Sequence, residues 1–384
     1  MTIPVFILYL LFLFFGLIYI FLIISYTIGW YRMKKYVPGK DVKPTTRTTI
    51  IIPARNEENN IIRLLSDISK QTVPATLFEV LVVDDNSTDQ TAALVEKFIR
   101  DQKTTHIKLL IQSGSDLHSP FKKKAIERAI SESTGDLIIT TDADCRVGNR
   151  WLETILSFYE ENRPAMMVGP VCFHNEKSWF EKMQTPEFLS LIAITAGAIQ
   201  INKPIMCNGA NLAYEREAFN KAGGYGADRF SSGDDVFLML RMRKILGGKS
   251  IRFIKNYNAL VFTEAKKNLL DFYHQRTRWA SKNKGYDFNI LFVSASVYMV
   301  NLVLLAGFIT GLFYTPLLYS MIWITLIKTL IDLPVTMGII TFVKRKWVLL
   351  YALPLIILYP FYIVITGAMG IAGSYQWKDR KVKN

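Results

Sequence analysis

Hydrophobic and polar positions along this 384-residue chain fall into three regimes. From Ile3 to Trp30 the chain is almost wholly Leu, Ile, Phe and Tyr, with no charged residue before Arg32. A helix needs about 20 such residues, at about 1.5 Å each, to cross a hydrocarbon core about 30 Å thick, so one crossing fits. From Thr48 onward short β-branched runs alternate with helical patterns, which predicts parallel strands joined by crossover helices. The strands are expected at Thr49 to Ile52, Val80 to Val83, Ile107 to Ile111 and Leu137 to Thr141, with helices from about Glu58, from Thr88 or Asp89, and through Ala125 to Ile130. Charge then disappears again from Phe288 through Ile327, and residues 288–313, 316–341 and 347–373 read as three further spans. The expected organisation is an anchor over 1–31, an α/β domain over 48–285, a C-terminal helical block over 288–373 and a basic tail over 374–384.

Charge orients this arrangement. Arg32, Lys34, Lys35, Lys40, Lys43 and Arg47 follow the first span, and basic flanks stay on the cytoplasmic side. No basic residue precedes that span and no small-x-small pattern follows it, so it reads as a retained anchor rather than a signal peptide. The α/β domain is therefore expected in the cytoplasm of a cell whose inner membrane holds the rest. A net charge of +14 with half the residues apolar excludes a disordered chain. The basic excess crowds the membrane flanks instead of interleaving with aromatics, which speaks against a nucleic-acid partner. Three C-terminal crossings would carry the basic tail, Lys378, Arg380, Lys381 and Lys383, to the opposite side, against the same rule. A re-entrant segment around Pro354 and Pro360 would remove that conflict. Lys328 and Asp332 lie four residues apart in the second C-terminal span, where they either neutralise each other or line the bundle. The short apolar run Phe188 to Ile199 marks a candidate interfacial helix over 180–200, with Leu189 and Ile192 at lipid. Cys145, Cys172, Cys207 and the four histidines are too scattered for a local zinc cluster, and the thiols read as reduced and structural.

Ligands of open α/β sheets bind outside the carboxyl ends of the strands. Three loops there are polar or acidic: Ala54-Arg55-Asn56-Glu57, Asp84-Asp85-Asn86-Ser87 and Asp142-Ala143-Asp144. No Gly-x-Gly-x-x-Gly follows the first strand and no Gly-Lys-Ser/Thr loop occurs, so dinucleotide and P-loop phosphate cradles are missing. Asp142 and Asp144 can instead bind a divalent cation that bridges diphosphate oxygens. Asp84 and Asp85 suit either a ligand contact or an Asx turn; Asp85 is taken as functional and Asn86 or Ser87 as the helix cap. Asp234 and Asp235 open an apolar helix, where acids also complement the dipole. Gln275, Arg278 and Trp279 share one helix face, suited to a ligand or to docking on a membrane surface.

The ordered set Ile52-Pro53-Ala54-Arg55-Asn56-Glu57, Val83-Asp84-Asp85-Asn86-Ser87-Thr88-Asp89, Asp142-Ala143-Asp144, Gly233-Asp234-Asp235 and Gln275-Arg276-Thr277-Arg278-Trp279 resembles the family 2 inverting glycosyltransferases, from about residue 48 to 280. The flanking helices are similar to the membrane-bound branch, which includes ceramide glucosyltransferase-like enzymes and processive synthases of cellulose, hyaluronan and poly-N-acetylglucosamine. The resemblance implies a GT-A domain, with a Rossmann-like, mostly parallel sheet, one N-terminal and about three C-terminal transmembrane helices. It implies transfer of a hexose or N-acetylhexosamine from a UDP-sugar to a lipid-linked or membrane-associated acceptor in envelope glycolipid or polysaccharide synthesis. In that scheme Pro53, Ala54, Arg55 and Glu57 hold the nucleotide with Asp85, which accepts from the uracil edge. Lys122, in a run of three lysines, faces the nucleotide or its phosphates. Asp144 and Asp142 carry Mg²⁺ or Mn²⁺, Asp142 also lying near the ribose, and Asp235 is the base. Arg278 forks onto the diphosphate, while Gly209, Asp234, Gln275 and Trp279 belong to the acceptor side. Two alternatives stay open: a processive polysaccharide synthase, and a transporter or sugar-nucleotide sensor with an inactive domain.

Overall fold

A computed structural model describes residues 3–39, 43–112, 121–225, 233–372, 374–377 and 380–383. The chain forms two compact units. Its first elements are α1 (Ile3–Arg32), β1 (Thr48–Ala54), α2 (Ile61–Ile68), β2 (Phe78–Asp84), α3 (Thr91–Gln102), β3 (Ile107–Ile111), α4 (Phe121–Glu132), β4 (Leu137–Thr140), β5 (Arg146–Val147), α5 (Trp151–Asn162), β6 (Met166–Val168) and β7 (Val171–His174). Then come α6 (Trp179–Gln200), β8 (Leu212–Glu215), α7 (Arg216–Lys221), α8 (Asp234–Leu246), β9 (Ile251–Phe253), β10 (Val261–Glu264), α9 (Leu269–Ala280), α10 (Phe288–Gly311), α11 (Thr315–Phe342), α12 (Val348–Ala352), α13 (Leu355–Ala372), β11 (Ser374–Trp377) and β12 (Arg380–Lys383).

The sheet unit comprises Met33–Asn175 and Asn202–Glu264. β1, β2 and β4 are continuous apolar runs because both faces are covered: Ile50, Ile51, Ile52, Val82, Val83 and Ile139 are fully buried. α2 supplies one cover, burying Ile61, Leu64, Leu65 and Ile68 at helical spacing. The seven strands run in the order β3-β2-β1-β4-β8-β6-β9. β3, β2, β1 and β4 are parallel, as predicted, whereas β8 is antiparallel to both β4 and β6. That reversal matters for the site. Leu212, the first residue of β8, pairs with Thr140, the last residue of β4, so the loop ahead of β8 is delivered to the carboxyl end of β4.

The helical unit comprises the chain up to Arg32, then Glu176–Ile201 and the residues from Ala265 onward. The expected domain boundary at 285 is thus drawn elsewhere: the sheet unit stops at Glu264, and residues 176–201 leave it as well. Among the described residues three helices are long and apolar enough to cross a membrane, over Val5–Arg32, Phe288–Gly311 and Thr315–Phe342. α1 and α11 run side by side in the same direction: Tyr9 donates to Ser320 Oγ at 2.8 Å, Tyr19 to Asp332 Oδ1 at 2.6 Å and Tyr31 to the Pro334 carbonyl at 2.9 Å. Val5, Tyr19, Ile23, Val300, Leu304, Leu317 and Met321 form the seam they share with α10. Lys328 and Asp332 neutralise each other at 2.7 Å.

The expected third C-terminal span, 347–373, is not one helix. Pro354, lacking an N–H, marks the break between α12 and α13, and the apolar stretch Leu355–Gly370 is too short for an ordinary crossing. Tyr351 of α12 packs on Trp179 at the start of α6, with ring centroids 5.2 Å apart. Tyr359 of α13 reaches Lys328, and Gly370 lies against Ala280 at the end of α9. α13 thus runs from beside Lys328 to beside Ala280. α6 also differs from expectation. It is 22 residues long, opened by a Ser178–Glu181 capping box, and Leu189 and Ile192 are buried within the helical unit rather than facing lipid. Gly29 of α1 and Gly197 of α6 meet backbone to backbone, the close approach that small residues permit.

Candidate active site

β1 and β2 end side by side, with Ala54 opposite Asp84. The loops that follow are interlocked. Arg55 Nη1 donates to the carbonyls of Asp85 at 2.7 Å and Asn86 at 3.2 Å, and the Asn56 N–H donates to Ser87 Oγ at 3.0 Å. The Thr88 N–H donates to Asn56 Oδ1 at 2.9 Å, and the Glu57 N–H to Thr91 Oγ1 at 2.8 Å. Asn56 and Asn86 adopt φ of 51° and 52°, the left-handed region that Asn tolerates better than most residues. The tandem acids divide their work. Asp84 Oδ2 accepts from the Ser87 N–H, three residues on, at 3.1 Å and so holds the turn, whereas Asp85, also buried, is not needed for that bond. Neither Asn86 nor Ser87 caps α3: the cap position is Gln90, which makes no side-chain cap bond, and Asp89 just ahead of it accepts through Oδ1 from the Thr91 N–H at 3.0 Å and its hydroxyl at 2.5 Å. Burial pushes the Asp89 carboxyl up, but these bonds outweigh it and hold the group below its ordinary value. Because the loops use residues 54–58 and 84–90 in this way, α2 and α3 begin at Ile61 and Thr91, later than predicted.

On the other side of β1, β4 leads into Asp142 and Asp144, both half-buried. The neighbouring Cys145 thiol is pushed well above its ordinary value by burial and then by the charges of Asp144 and Asp142. The donors that Asp142 and Asp144 offer are carboxylate oxygens, which suit Mg²⁺ or Mn²⁺. Among the described residues no group of three or more His, Cys, Asp or Glu is placed to hold a metal. Two carboxylates fit a cation whose other ligands are phosphate oxygens and water. Of the three lysines opening α4, the side chain of Lys122 lies outside the described residues, while Lys123 is buried and Lys124 exposed.

Asp235 is the second residue of α8, entered through Gly233 at φ 92°. Its Oδ2 accepts from the Gly209 N–H at 2.9 Å and its Oδ1 from the Val236 N–H at 2.9 Å. A Cβ on Gly209 would make ordinary van der Waals contact with Asp235 Oδ2, at 3.4 Å, which shows how closely this loop approaches the carboxylate. The same loop is pinned from below by Asn211, which donates to the Pro170 and Ala259 carbonyls at 2.8 Å each and accepts from Trp151 Nε1 at 3.2 Å. Tyr225 is buried nearby; burial, Tyr214 and then the charges of Asp234 and Asp235 push its phenol well above the ordinary range.

The structure therefore gathers Pro53, Ala54, Arg55, Glu57, Asp85, Asp142, Asp144, Gly209, Asp234 and Asp235 along the carboxyl edge of one sheet. Gln275, Arg278 and Trp279 form a separate group on α9 of the helical unit, all half-buried on one face. Between them sits Arg276, which sequence reasoning passed over. Its guanidinium is ion-paired to Glu187 of α6 at 2.5 Å and lies over the rings of Trp279 at 4.2 Å and Phe272 at 4.8 Å. Tyr362 of α13 donates to the other Glu187 oxygen at 3.1 Å, and Phe188 stacks on Trp279. The visible signal was at the other end of the pair, Glu187 at the edge of the apolar run Phe188 to Ile199. Its partner lies 89 residues away.

A model of Glycosyl transferase family 2 matches residues 49–223, and one of Glycosyl transferase family group 2 matches residues 137–365, more than half of the chain. The chain belongs to the family 2 glycosyltransferases. This transferase is 26% identical over 254 residues to Probable glycosyltransferase YdaM of Bacillus subtilis, covering 64% of this chain and 57% of the relative. It is 32% identical over 120 residues to Poly(ribitol-phosphate) beta-N-acetylglucosaminyltransferase TarS of Staphylococcus aureus, covering 31% and 20%. It is 23% identical over 233 residues to Beta-monoglucosyldiacylglycerol synthase of Nostoc, covering 60% and 48%. The matches thus span less than two thirds of each relative's own length. The transferase also resembles the solved mannosyltransferase PcManGT from Pyrobaculum calidifontis in complex with GDP-Man and Mn²⁺, with a TM-score of 0.57 at 17% identity over 94% of this chain and 98% of that one. That likeness is one of fold.

Proposed function

We propose that this transferase moves one hexose or N-acetylhexosamine, with inversion, from a UDP-sugar to a lipid-linked or membrane-associated acceptor. The observation that carries the reading is Asp235, held by two backbone N–H groups beside the strand end that bears Asp142 and Asp144. Asp85 and Glu57 bind uridine, in loops that Arg55 and Asn56 lock into one shape. Asp144 and Asp142 would hold a Mg²⁺ or Mn²⁺ ion, which when bound offsets the charge developing on the diphosphate. Asp235 takes the proton of the acceptor hydroxyl as that oxygen attacks the anomeric carbon and the nucleoside diphosphate leaves with the bonding pair. A single base suffices for this displacement, whereas retention would ordinarily need a nucleophile.

Lys122 and Arg278 are assigned to the diphosphate, and Gly209, Asp234, Gln275 and Trp279 to the acceptor. A membrane-associated acceptor is supported by the three long apolar helices and by a relative named for synthesis of a glucosyl glycerolipid. We assign the sheet unit to the cytoplasm. The returning path of α12 and α13 supports this, because it brings β11 and β12 of the basic tail back beside α9 and satisfies the charge rule at both ends of the chain. The test is Asp235→Asn in purified protein. It is expected to bind UDP with metal as the parent does and to transfer no sugar; unchanged turnover would overturn the assignment.

A further inference from the structure

We infer that Thr140 is a positioning residue for the base, acting through the peptide of Gly209, an inference that rests on the reading of Asp235 above. Thr140 is the last residue of β4 and is buried. Its hydroxyl donates to the Gly209 carbonyl at 3.0 Å, and the N–H of the same glycine donates to Asp235 Oδ2 at 2.9 Å. Oδ1 is engaged by the Val236 N–H, and the Gly209 contact fixes the direction of Oδ2. Thr140 itself touches no reacting group.

Such a tether is needed because of what stands at 209. Glycine has the widest choice of backbone conformation, and no side chain of its own anchors the loop at that point. The turn that follows is held locally by Asn208 Oδ1, which accepts from the Ala210 N–H at 3.0 Å. Thr140 adds a bond from the sheet to the Gly209 peptide itself, beyond those that hold Asn211 two residues later. The strand that ends in Thr140 continues directly into Asp142 and Asp144, so one hydroxyl links the diphosphate side of the reaction to the base side. The antiparallel register that pairs Thr140 with Leu212 brings the two loops within reach.

A bland role for Thr140, as a β-branched residue filling the strand end, makes the opposite forecast for two substitutions. Thr140→Val keeps the shape and burial but removes the donor; Thr140→Ser keeps the donor and removes the methyl. Positioning predicts that T140V lowers kcat by about 10- to 100-fold, the scale of a misplaced catalytic group. The donor KM and metal-dependent UDP binding should stay within about twofold of the parent, and T140S should recover most of kcat. Packing predicts an active T140V and a damaged T140S, and that pattern would overturn the inference. Thr140→Ala is the second variant: it should match T140V if the hydroxyl matters and fall well below it if the methyl does. An inactive D235N beside a fully active T140V would sink the positioning role alone, while an active D235N would sink the base assignment beneath it.

Discussion

Arg276 and Glu187 offer the sharpest test of the helical unit. Their side chains are 1% and 9% exposed and their charged atoms lie 2.5 Å apart. At this burial the attraction and the lost hydration are of similar size, so the intact pair contributes little net stability. Removing one partner is different. Arg276→Met leaves a buried carboxylate whose remaining hydrogen bond among the described residues is from the Tyr362 hydroxyl, a loss of about 3–5 kcal/mol. Glu187→Gln leaves the guanidinium between Phe272 and Trp279, whose faces still attract it by about 0.5–2 kcal/mol each, so the cost falls at the lower end, about 3 kcal/mol. The double variant removes both charges and is expected to lose only about 0–2 kcal/mol, for a coupling of roughly 4 kcal/mol or more. Denaturant titration of all four proteins in one detergent measures the cycle. Either single variant should also lower sugar transfer more than UDP binding, since the guanidinium braces the Trp279 indole. Costs that add to within about 0.5 kcal/mol would refute the coupling.

Two further outcomes follow from the packing and path of the helices. A methyl at Gly29 or Gly197 would overlap the facing backbone carbonyl, so G29A and G197A are each expected to destabilise the protein by about 1–3 kcal/mol, whereas G16A, which meets only the movable ring of its own Phe12, should be neutral or gain up to about 1 kcal/mol in melting measurements. A returning α12 and α13 puts the C-terminus on the cytoplasmic side: a green fluorescent protein fused there should fluoresce and alkaline phosphatase should be inactive, and the reverse pattern would show that residues 347–373 cross after all.

Much of the sheet unit was legible from local pattern. The buried strands announce themselves as β-branched runs, and α2 as a spacing of three and four, because both faces of β1 and one face of α2 must be apolar. The loops that carry chemistry follow from strand direction, and the acids in them stand in the order the family shares. What the pattern missed was the division of labour inside those loops. Asp84 and Asp85 are equivalent in sequence, and only the Ser87 N–H directed at Asp84 separates the turn-maker from the candidate ligand.

Composition by itself determined that α1, α10 and α11 could cross a membrane, since hydrocarbon requires an unbroken apolar length and nothing more subtle. The same composition could not tell one long helix from two at 347–373, because a helix with one side against α9 and α10 and with Ile357, Phe361 and Ile365 exposed needs the same apolar residues as a crossing one. Tertiary structure alone decided that the segment is two helices broken at Pro354, along with the membership of α6 and α9 in the helical unit. It also decided the two pairings on which the tests rest, Arg276 with Glu187 across 89 residues and Thr140 with Gly209 across 69. A hydrogen bond or ion pair between residues that distant leaves no periodicity in either segment. Only the folded chain, by setting the register of β4 against β8 and the packing of α6 against α9, brings the partners within reach.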